Sequence, residues 1–187
     1  RPPRSTLFPY TTLFRSSWEA SLLPIVQADK KMGGLAYLST TIKKLSTNNT
    51  LLFSTGDIFS GDTKDVRPVV ESLNLINLSA TIIGNLDLNN GITTLKKQFE
   101  SAKFDVICSN VYFEEKTIFL SHKIYEVNGT KILVVGITSP ESAIQAPQEM
   151  IKDLIFREPA KQVEKYYNEL NGRSEEHTSE LQSRQVI

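Results

Sequence analysis

The sequence predicts an α/β fold in which a parallel sheet is flanked by helices. Three short apolar runs, each followed by a polar turn, alternate with segments whose apolar residues recur at helical spacing. A strong hairpin signal comes after them, so antiparallel strands are expected in the last part of the chain. Together these observations indicate a mixed α/β domain.

The elements are expected in a regular order from residue 35 onwards. Residues 35–45 predict an amphipathic helix, and residues 50–54 predict a strand buried on both faces. Pro68 suits the first turn of a helix that continues to about residue 78. A second strand is expected at residues 80–83.

The second half of the chain continues the pattern. A helix is expected at residues 91–102 and a third buried strand at 105–109. Two strands flank the pair Asn128-Gly129, which is the dipeptide most typical of a two-residue hairpin turn. A polar helix entered through Pro159 is then expected over residues 157–170.

Composition excludes several classes of function. The 187 residues include 21 Lys and Arg against 21 Asp and Glu, and a chain without basic surplus is unsuited to binding a nucleic acid polymer. No apolar run is long enough to span a membrane. Because Cys108 is the single cysteine, neither an intramolecular disulfide nor a cysteine zinc cluster can form.

The two ends resemble translated sequencing adapters. Residues 6–16 read TLFPYTTLFRS and residues 173–182 read RSEEHTSELQ, and neither run has helical or strand periodicity. We therefore expect residues 1–16 and 173–187 to be disordered and foreign to the fold. Residues 17–172 remain as one domain, incomplete at both ends, with 16 basic residues, 18 acidic residues and one histidine.

Polar residues follow the three predicted parallel strands. They are Gly56-Asp57, the run from Gly84 through Asn85 and Leu86 to Asp87, and Ser109-Asn110. Ligands of open parallel sheets bind beyond the carboxyl ends of the strands, and carboxylate and carbonyl oxygens bind divalent cations. Asp57 and Asn85 are therefore candidate metal ligands. The alternative is that both only cap segments or close turns, as Asp and Asn commonly do.

Four blocks of the chain resemble the calcineurin-like metallophosphoesterases, most closely the N-terminal catalytic domain of the bacterial 5′-nucleotidase group. They read GGLAYLSTTIKKL, LLFSTGDIFSGD, ATIIGNLDLNNGITTLKKQFESAKFDVICSNVY and KILVVGITSPES, and they span residues 33–142 in the family's order. The resemblance implies a sandwich of two sheets flanked by helices. It also implies hydrolysis of nucleotides or related phosphate monoesters and diesters, outside the cytoplasm or in the cell envelope.

The resemblance further implies two divalent metal ions of the Zn, Mn, Mg or Ca class. In such a centre the metals activate a water molecule and neutralise charge on the phosphoryl group. Asp57 matches the carboxylate that bridges the two metals, and Asn85 matches the Asn ligand of the second metal. These two residues are the only ligands that the resemblance assigns here.

The departures from the family pattern concern catalysis. Leu86 stands where the family has a histidine that contacts the phosphate, and Asp87 stands at the position of its acidic partner, so no catalytic residue is assigned. The family's Asp-x-His block is not found at residues 17–31, and its later histidine blocks are not found before residue 172. We expect this chain to be inactive. Alternatively, it is a non-catalytic member that keeps the fold for binding or structure.

Two further residues have the chemistry of ligands or nucleophiles but are expected to be structural. His122 lies in a predicted strand that matches no ligand block of the family, and it is expected to be a satisfied or surface residue of the sheet. Cys108 is expected to be a small buried residue of a central strand.

Overall fold

The computed structural model describes the backbone of residues 25–27, 30–32, 34–59 and 65–174, and the side chains of residues 34–59 and 65–169. The strands are β1 (Ile25–Gln27), β2 (Lys30–Met32), β3 (Phe53–Ser54), β4 (Ala80–Thr81), β5 (Asp105–Val106), β6 (Val111–Phe113), β7 (Lys116–Thr117), β8 (His122–Val127), β9 (Thr130–Val135) and β10 (Leu154–Phe156). The helices are α1 (Leu35–Leu45), α2 (Arg67–Leu75), α3 (Gly91–Gln98), α4 (Ser142–Gln145), α5 (Gln148–Ile151) and α6 (Pro159–Ser174).

A parallel sheet of β3, β4 and β5 carries the polar strand ends. Phe53 pairs with Ala80, and Ala80 pairs with Asp105 in turn, so the three strands are in parallel register. A parallel bridge between Ile107 and Leu120 extends the pairing beyond β5. The predicted parallel sheet is confirmed, and its three carboxyl ends lie at one edge.

The strands are shorter than expected, and the first one is not buried on both faces. Only Phe53 and Ser54 of the run 50–54 form β3, and the Phe53 side chain is 43% exposed. The reason is the position of β3 at the edge of the described sheet, where one neighbour is missing. Phe53 instead packs edge-on against Tyr125, with ring centroids 5.8 Å apart.

Helices cover the sheet as the apolar spacing predicts. The bounds of α1 agree with the prediction, and Pro68 lies in the first turn of α2. Val70 and Leu73 of α2 and Leu95 of α3 are fully buried. Helix α2 ends at Leu75 and α3 ends at Gln98, a few residues before their predicted ends. The backbone dihedrals of the next residues, Ile76 and Phe99, are no longer helical.

A group of aromatic rings forms part of the hydrophobic core. The ring of Phe99 lies 5.0 Å from that of Phe59, 6.1 Å from that of Phe104 and 5.8 Å from that of Phe119. Phe59 is 1% exposed and follows Asp57 by two residues. Burying a side chain of this size stabilises a fold by about 1.5–3 kcal/mol, so Phe59 anchors the loop that carries Asp57.

The antiparallel part of the described fold contains one predicted hairpin, β8–β9, and two sheets that were not predicted, β1–β2 and β10–β6–β7. Strands β8 and β9 pair along their whole length around Asn128 and Gly129, whose φ angles of 52° and 74° suit a tight hairpin turn. Strand β6 pairs with β7 and β10. Its turn places Glu114 and Glu115 at φ 49° and 64°, a conformation that glutamate rarely adopts, so the sequence gives little sign of it.

The ends of the chain correct one boundary and leave the others untested. Helix α6 includes Arg173 and Ser174, so two residues of the segment expected to be disordered are helical. Residues 1–24 and 175–187 lie outside the described residues, as do most of the expected adapter segments. In the part of the chain that the structure describes, no helix is both long and apolar enough to cross a membrane.

Candidate functional site

Two of the three polar strand ends meet, and the third does not join them. The loop after β3 brings Asp57 against the turn after β4, which carries Gly84 and Asn85. Asn110, after β5, is fully buried and hydrogen-bonded to Thr138. The candidate site therefore consists of the loop at Gly56-Asp57 and the turn at Gly84-Asn85.

The approach of these two segments depends on glycine. A Cβ atom on Gly56 would lie 2.5 Å from the backbone nitrogen of Gly84. A Cβ atom on Gly84 would lie 2.1 Å from Oδ1 of Asp57. Non-bonded atoms do not approach so closely, so any side chain at either position would push the segments apart.

Asp57 is held in a conformation that is uncommon for its residue type. Its φ angle is 53°, which is in the left-handed region, and its side chain is half-buried. Oδ1 of Asp57 accepts a hydrogen bond from the backbone N–H of Leu86 at 3.1 Å. The carboxylate thus closes the junction between the loop and the turn, as the structural alternative expects, and its position beside Gly84 also suits a ligand.

Asn85 behaves differently from a capping residue. It occupies the N-cap position of a single-turn 3-10 helix at Leu86–Leu88, but its side chain makes no capping hydrogen bond. Asparagine at this position usually accepts a hydrogen bond from a backbone N–H of the first turn. The half-buried amide of Asn85 is therefore not used to begin this helix.

Asp87 is a buried support of the loop backbone. Only 2% of it is exposed, and its Oδ2 accepts hydrogen bonds from the N–H groups of Asp57 and Gly84, both at 2.9 Å. Its Oδ1 accepts one from the N–H of Phe59, also at 2.9 Å. Burial raises the pKa of Asp87 to about 7, the charge of Asp57 adds to that rise, and the three N–H donors oppose it.

The resemblance placed Asp87 at the position of the acidic partner, without a catalytic role. A catalytic acidic partner must reach the substrate or another catalytic group, whereas both oxygens of Asp87 face backbone N–H groups. The neighbouring Leu86 is half-buried and has no polar side-chain atom. Neither residue provides a proton donor at the site.

Two candidate metal donors meet at the site among the residues that the structure describes. Asp57 and Asn85 supply oxygen atoms of the kind that divalent cations bind. However, the residues that the structure describes contain no group of three or more His, Cys, Asp or Glu placed to hold a metal ion. Zinc takes four ligands and calcium six to eight, so Asp57 and Asn85 alone do not complete such a site.

His122 lies in β8 as expected, whereas Cys108 is buried as expected but follows β5 instead of lying within a central strand. Nδ1 of His122 lies 3.0 Å from the hydroxyl of Ser121, and its ring packs against Tyr166 with centroids 4.9 Å apart. Cys108 is fully buried, its Sγ lies 3.4 Å from Oγ1 of Thr138, and burial raises the pKa of the thiol. Both have structural contacts, which are with Ser121, Tyr166 and Thr138.

Sequence reasoning missed the residues that shape the site. The hydrogen bond between Asp87 and the N–H of Asp57 joins residues 30 apart in sequence. The hydrogen bond from Oγ1 of Thr138 to the carbonyl oxygen of Ile83 joins residues 55 apart. The one available signal was chemical, because a carboxylate among apolar residues, as in Leu86-Asp87-Leu88, needs partners when it is buried. The sequence could not identify those partners.

Known proteins resemble the chain in sequence. It is 33% identical over 127 residues to Protein UshA of Salmonella pullorum, a match that covers 65% of this chain and 23% of that protein. It is 31% identical over 150 residues to a 5′-nucleotidase of Vibrio vulnificus, with 73% and 27% covered. The chain thus spans about a quarter of the length of these relatives. No protein-family model matches it.

Solved structures resemble it in fold. The 5′-nucleotidase precursor from Thermus thermophilus superposes with a TM-score of 0.68 at 20% identity, covering 85% of this chain and 34% of that one. The calcineurin-like phosphoesterase YfkN from Bacillus subtilis gives 0.67 at 18% identity, with 84% and 57% covered. By its sequence relatives the chain is a homologue of the 5′-nucleotidases, and by its α/β architecture it has the calcineurin-like phosphoesterase fold.

Proposed function

We propose that the chain is part of a metal-dependent phosphoesterase that hydrolyses nucleotides or related phosphate esters. The observation that carries this proposal is the meeting of Asp57 and the Gly84-Asn85 turn at the carboxyl edge of the parallel sheet. Relatives named 5′-nucleotidase support the substrate class. The substrate would be a small phosphate ester rather than a nucleic acid polymer, since the chain has no surplus of basic residues.

We further propose that this chain is itself inactive. Asp57 and Asn85 are too few to hold the two divalent ions of the Zn, Mn, Mg or Ca class that the family uses. Leu86 also lacks the proton donor that the family places at this position, and losing one such contribution typically lowers the rate by about 10² to 10⁴. Weak binding of a single ion remains compatible with the two donors.

One observation favours a second candidate function. Asp87 keeps the loop and the turn in place through three hydrogen bonds, although Leu86 beside it cannot assist catalysis. A site whose geometry is maintained while its chemistry is lost is expected of a non-catalytic member that binds a ligand or has a structural role. Under this candidate the longer protein would bind a phosphate ester without hydrolysing it.

Metal binding and phosphate release test these proposals on the purified chain. We expect weak binding of Mn²⁺ or Zn²⁺ by calorimetry, reduced further by Asp57→Asn, and no metal-dependent release of phosphate from AMP. Glu71→Gln, which changes an exposed carboxylate of α2, is the matched control and should bind like the unchanged chain. Tight binding of two ions with turnover that Asp57→Asn abolishes would contradict the inactivity.

The uninterrupted reading frame of the gene tests the organisation that we propose. Residues 17–172 would be the native domain segment, and residues 1–16 and 173–187 would be adapter-derived. We expect the frame to replace both terminal runs by other sequence. An Asp-x-His block before the segment and Gly-His-x-His after it would favour the enzyme, whereas substitutions in those blocks would favour the non-catalytic member. A secretion signal in the frame would support a periplasmic, envelope or extracellular location.

A further inference from the structure

A buried polar network lies directly behind the candidate site. It joins Ile83, Asn110 and Thr138, which come from three separate segments of the chain. Thr138 is 1% exposed and Asn110 is fully buried. Oγ1 of Thr138 donates a hydrogen bond to the carbonyl oxygen of Ile83 at 2.8 Å, and Ile83 immediately precedes the Gly84-Asn85 turn.

Asn110 holds Thr138 with both ends of its amide. The backbone N–H of Thr138 donates to Oδ1 of Asn110 at 2.9 Å, and Nδ2 of Asn110 donates to the carbonyl oxygen of Thr138 at 2.8 Å. The side chain thus pairs with the Thr138 backbone as a neighbouring strand would. The backbone of Asn110 is fixed as well, because its carbonyl oxygen accepts the N–H of Arg157 at 2.7 Å.

Each polar group of this network depends on the others. A buried carbonyl oxygen that loses its hydrogen-bond donor still bears the full free-energy cost of its removal from water. The hydroxyl of Thr138 therefore restrains the Ile83 carbonyl, and the Asn110 amide restrains the residue that carries the hydroxyl. The chain direction at Ile83 decides where Gly84 and Asn85 lie relative to Asp57.

We propose that Thr138 and Asn110 are positioning residues of the candidate site. They fix the carbonyl of Ile83 and, through it, the turn that presents Asn85. The hydrogen bonds of Thr138 and Asn110 join them to each other, to Cys108, to Arg157 and to Ile83, so both act on the site through the backbone of Ile83. The biological meaning of this role rests on the proposed function, but the restraint itself exists without metal or substrate.

Amide hydrogen exchange of the full chain, followed by NMR, tests the restraint directly. The N–H groups of Gly84 and Leu86 are reporters, because they donate to Asp87 and Asp57 within the site. The N–H groups of Val70 and Phe99, which are hydrogen-bonded in and beside the core helices, are the references. We expect Thr138→Val to accelerate exchange of the reporters at least about fivefold relative to the references, since one buried hydrogen bond is lost.

Two matched variants separate positioning from general stabilisation. Thr138→Ser keeps the hydroxyl and should leave the ratio of reporter to reference exchange within about twofold. Cys108→Ala removes the other neighbour of that hydroxyl, the Sγ at 3.4 Å, without touching Ile83, and should also leave the ratio unchanged. If Thr138→Val does not fold, Thr138→Ala removes the same hydroxyl with a smaller side chain and is measured in the same way.

The outcomes distinguish this inference from the proposed function. Equal acceleration of reporters and references in Thr138→Val, or no recovery in Thr138→Ser, would overturn the positioning role. Faster local exchange at Gly84 and Leu86 together with an absence of any metal binding would support the positioning role and count against the weak metal site proposed for Asp57 and Asn85.

Discussion

Oδ2 of Asp87 accepts a hydrogen bond from the backbone N–H of Asp57 at 2.9 Å across 30 residues of sequence. The same oxygen accepts the N–H of Gly84, so one buried carboxylate joins the loop after β3 to the turn after β4. Oδ1 of Asp57, in turn, accepts a hydrogen bond from the backbone N–H of Leu86. The two aspartates thus hold the two segments together in both directions.

Replacing Asp87 by asparagine should lower the stability of the fold. The new side-chain amide would place an NH₂ group against one of the backbone N–H donors, so at least one buried donor would lose its acceptor. We expect Asp87→Asn to lower the free energy of unfolding by about 2–4 kcal/mol in urea titrations. Glu71→Gln is the exposed control and should change it by less than about 0.5 kcal/mol, and an equally small effect of Asp87→Asn would refute the role given to Asp87.

Adding one methyl group at Gly84 should disrupt the site by steric contact. The new Cβ would lie 2.1 Å from Oδ1 of Asp57 and 2.6 Å from its nitrogen, which requires the loop to move. We expect Gly84→Ala to cost about 2–4 kcal/mol of unfolding free energy.

Gly129→Ala is the matched glycine variant. At Gly129 a Cβ would meet nothing within 4 Å, and only the φ angle of 74° opposes it, so a cost of about 1 kcal/mol is expected. Similar unfolding midpoints for Gly84→Ala and Gly129→Ala would argue against the close approach of the two segments.

The hydroxyl of Tyr125 should make stability depend on alkaline pH. Its oxygen lies 2.9 Å from Oδ2 of Asp105 and 3.0 Å from the carbonyl oxygen of Ser79, and its single proton is shared between these two acceptors. Burial raises the pKa of Tyr125, and the hydrogen bond to Asp105 and its charge add to the rise. The native chain keeps this proton at pH values where the unfolded chain has lost it, so stability must fall as the pH rises above about 10.

Tyr125→Phe isolates this effect. We expect the unfolding free energy of the variant to fall less steeply above about pH 10 than that of the unchanged chain, in urea titrations at several pH values. Difference absorbance at alkaline pH should also show that the phenol missing from the variant ionises above the range of free tyrosine. Parallel pH profiles of the two proteins would contradict the shifted pKa of Tyr125.

Restoring the family residue at position 86 tests how much of the active centre is lacking. Leu86→His supplies a ring nitrogen at the turn but adds no partner for Asp57 and Asn85. We expect no measurable release of phosphate from AMP with Mn²⁺, because the described residues offer only the two proposed metal ligands. The same substitution in the longer protein should raise activity if its other ligand blocks are present, and activity gained by the short chain would show that its ligand set is larger than proposed.

The sequence by itself determined the α/β class and the order of the elements that form the parallel sheet and the β8–β9 hairpin. Apolar spacing predicted α1 and the alternation that becomes the parallel sheet, and Asn128-Gly129 predicted the β8–β9 hairpin, because these signals act between residues close in sequence. The motif blocks identified Asp57 and Asn85 as neighbours of one site. Element ends were less predictable: β3 is an exposed edge strand and α6 continues through Ser174, since such limits depend on what packs beside them.

Only the tertiary structure decided what the polar residues do. Asp87, Asn110 and Thr138 each find their partners in segments about 28 to 55 residues away, and no local pattern encodes those pairings. Burial makes the pairings obligatory, because a polar group removed from water must be satisfied within the fold. Thus Asp87, at the acidic-partner position of the motif, supports the loop backbone through three hydrogen bonds. Asn110, which follows β5, pairs with the backbone of Thr138 instead of joining Asp57 and Asn85.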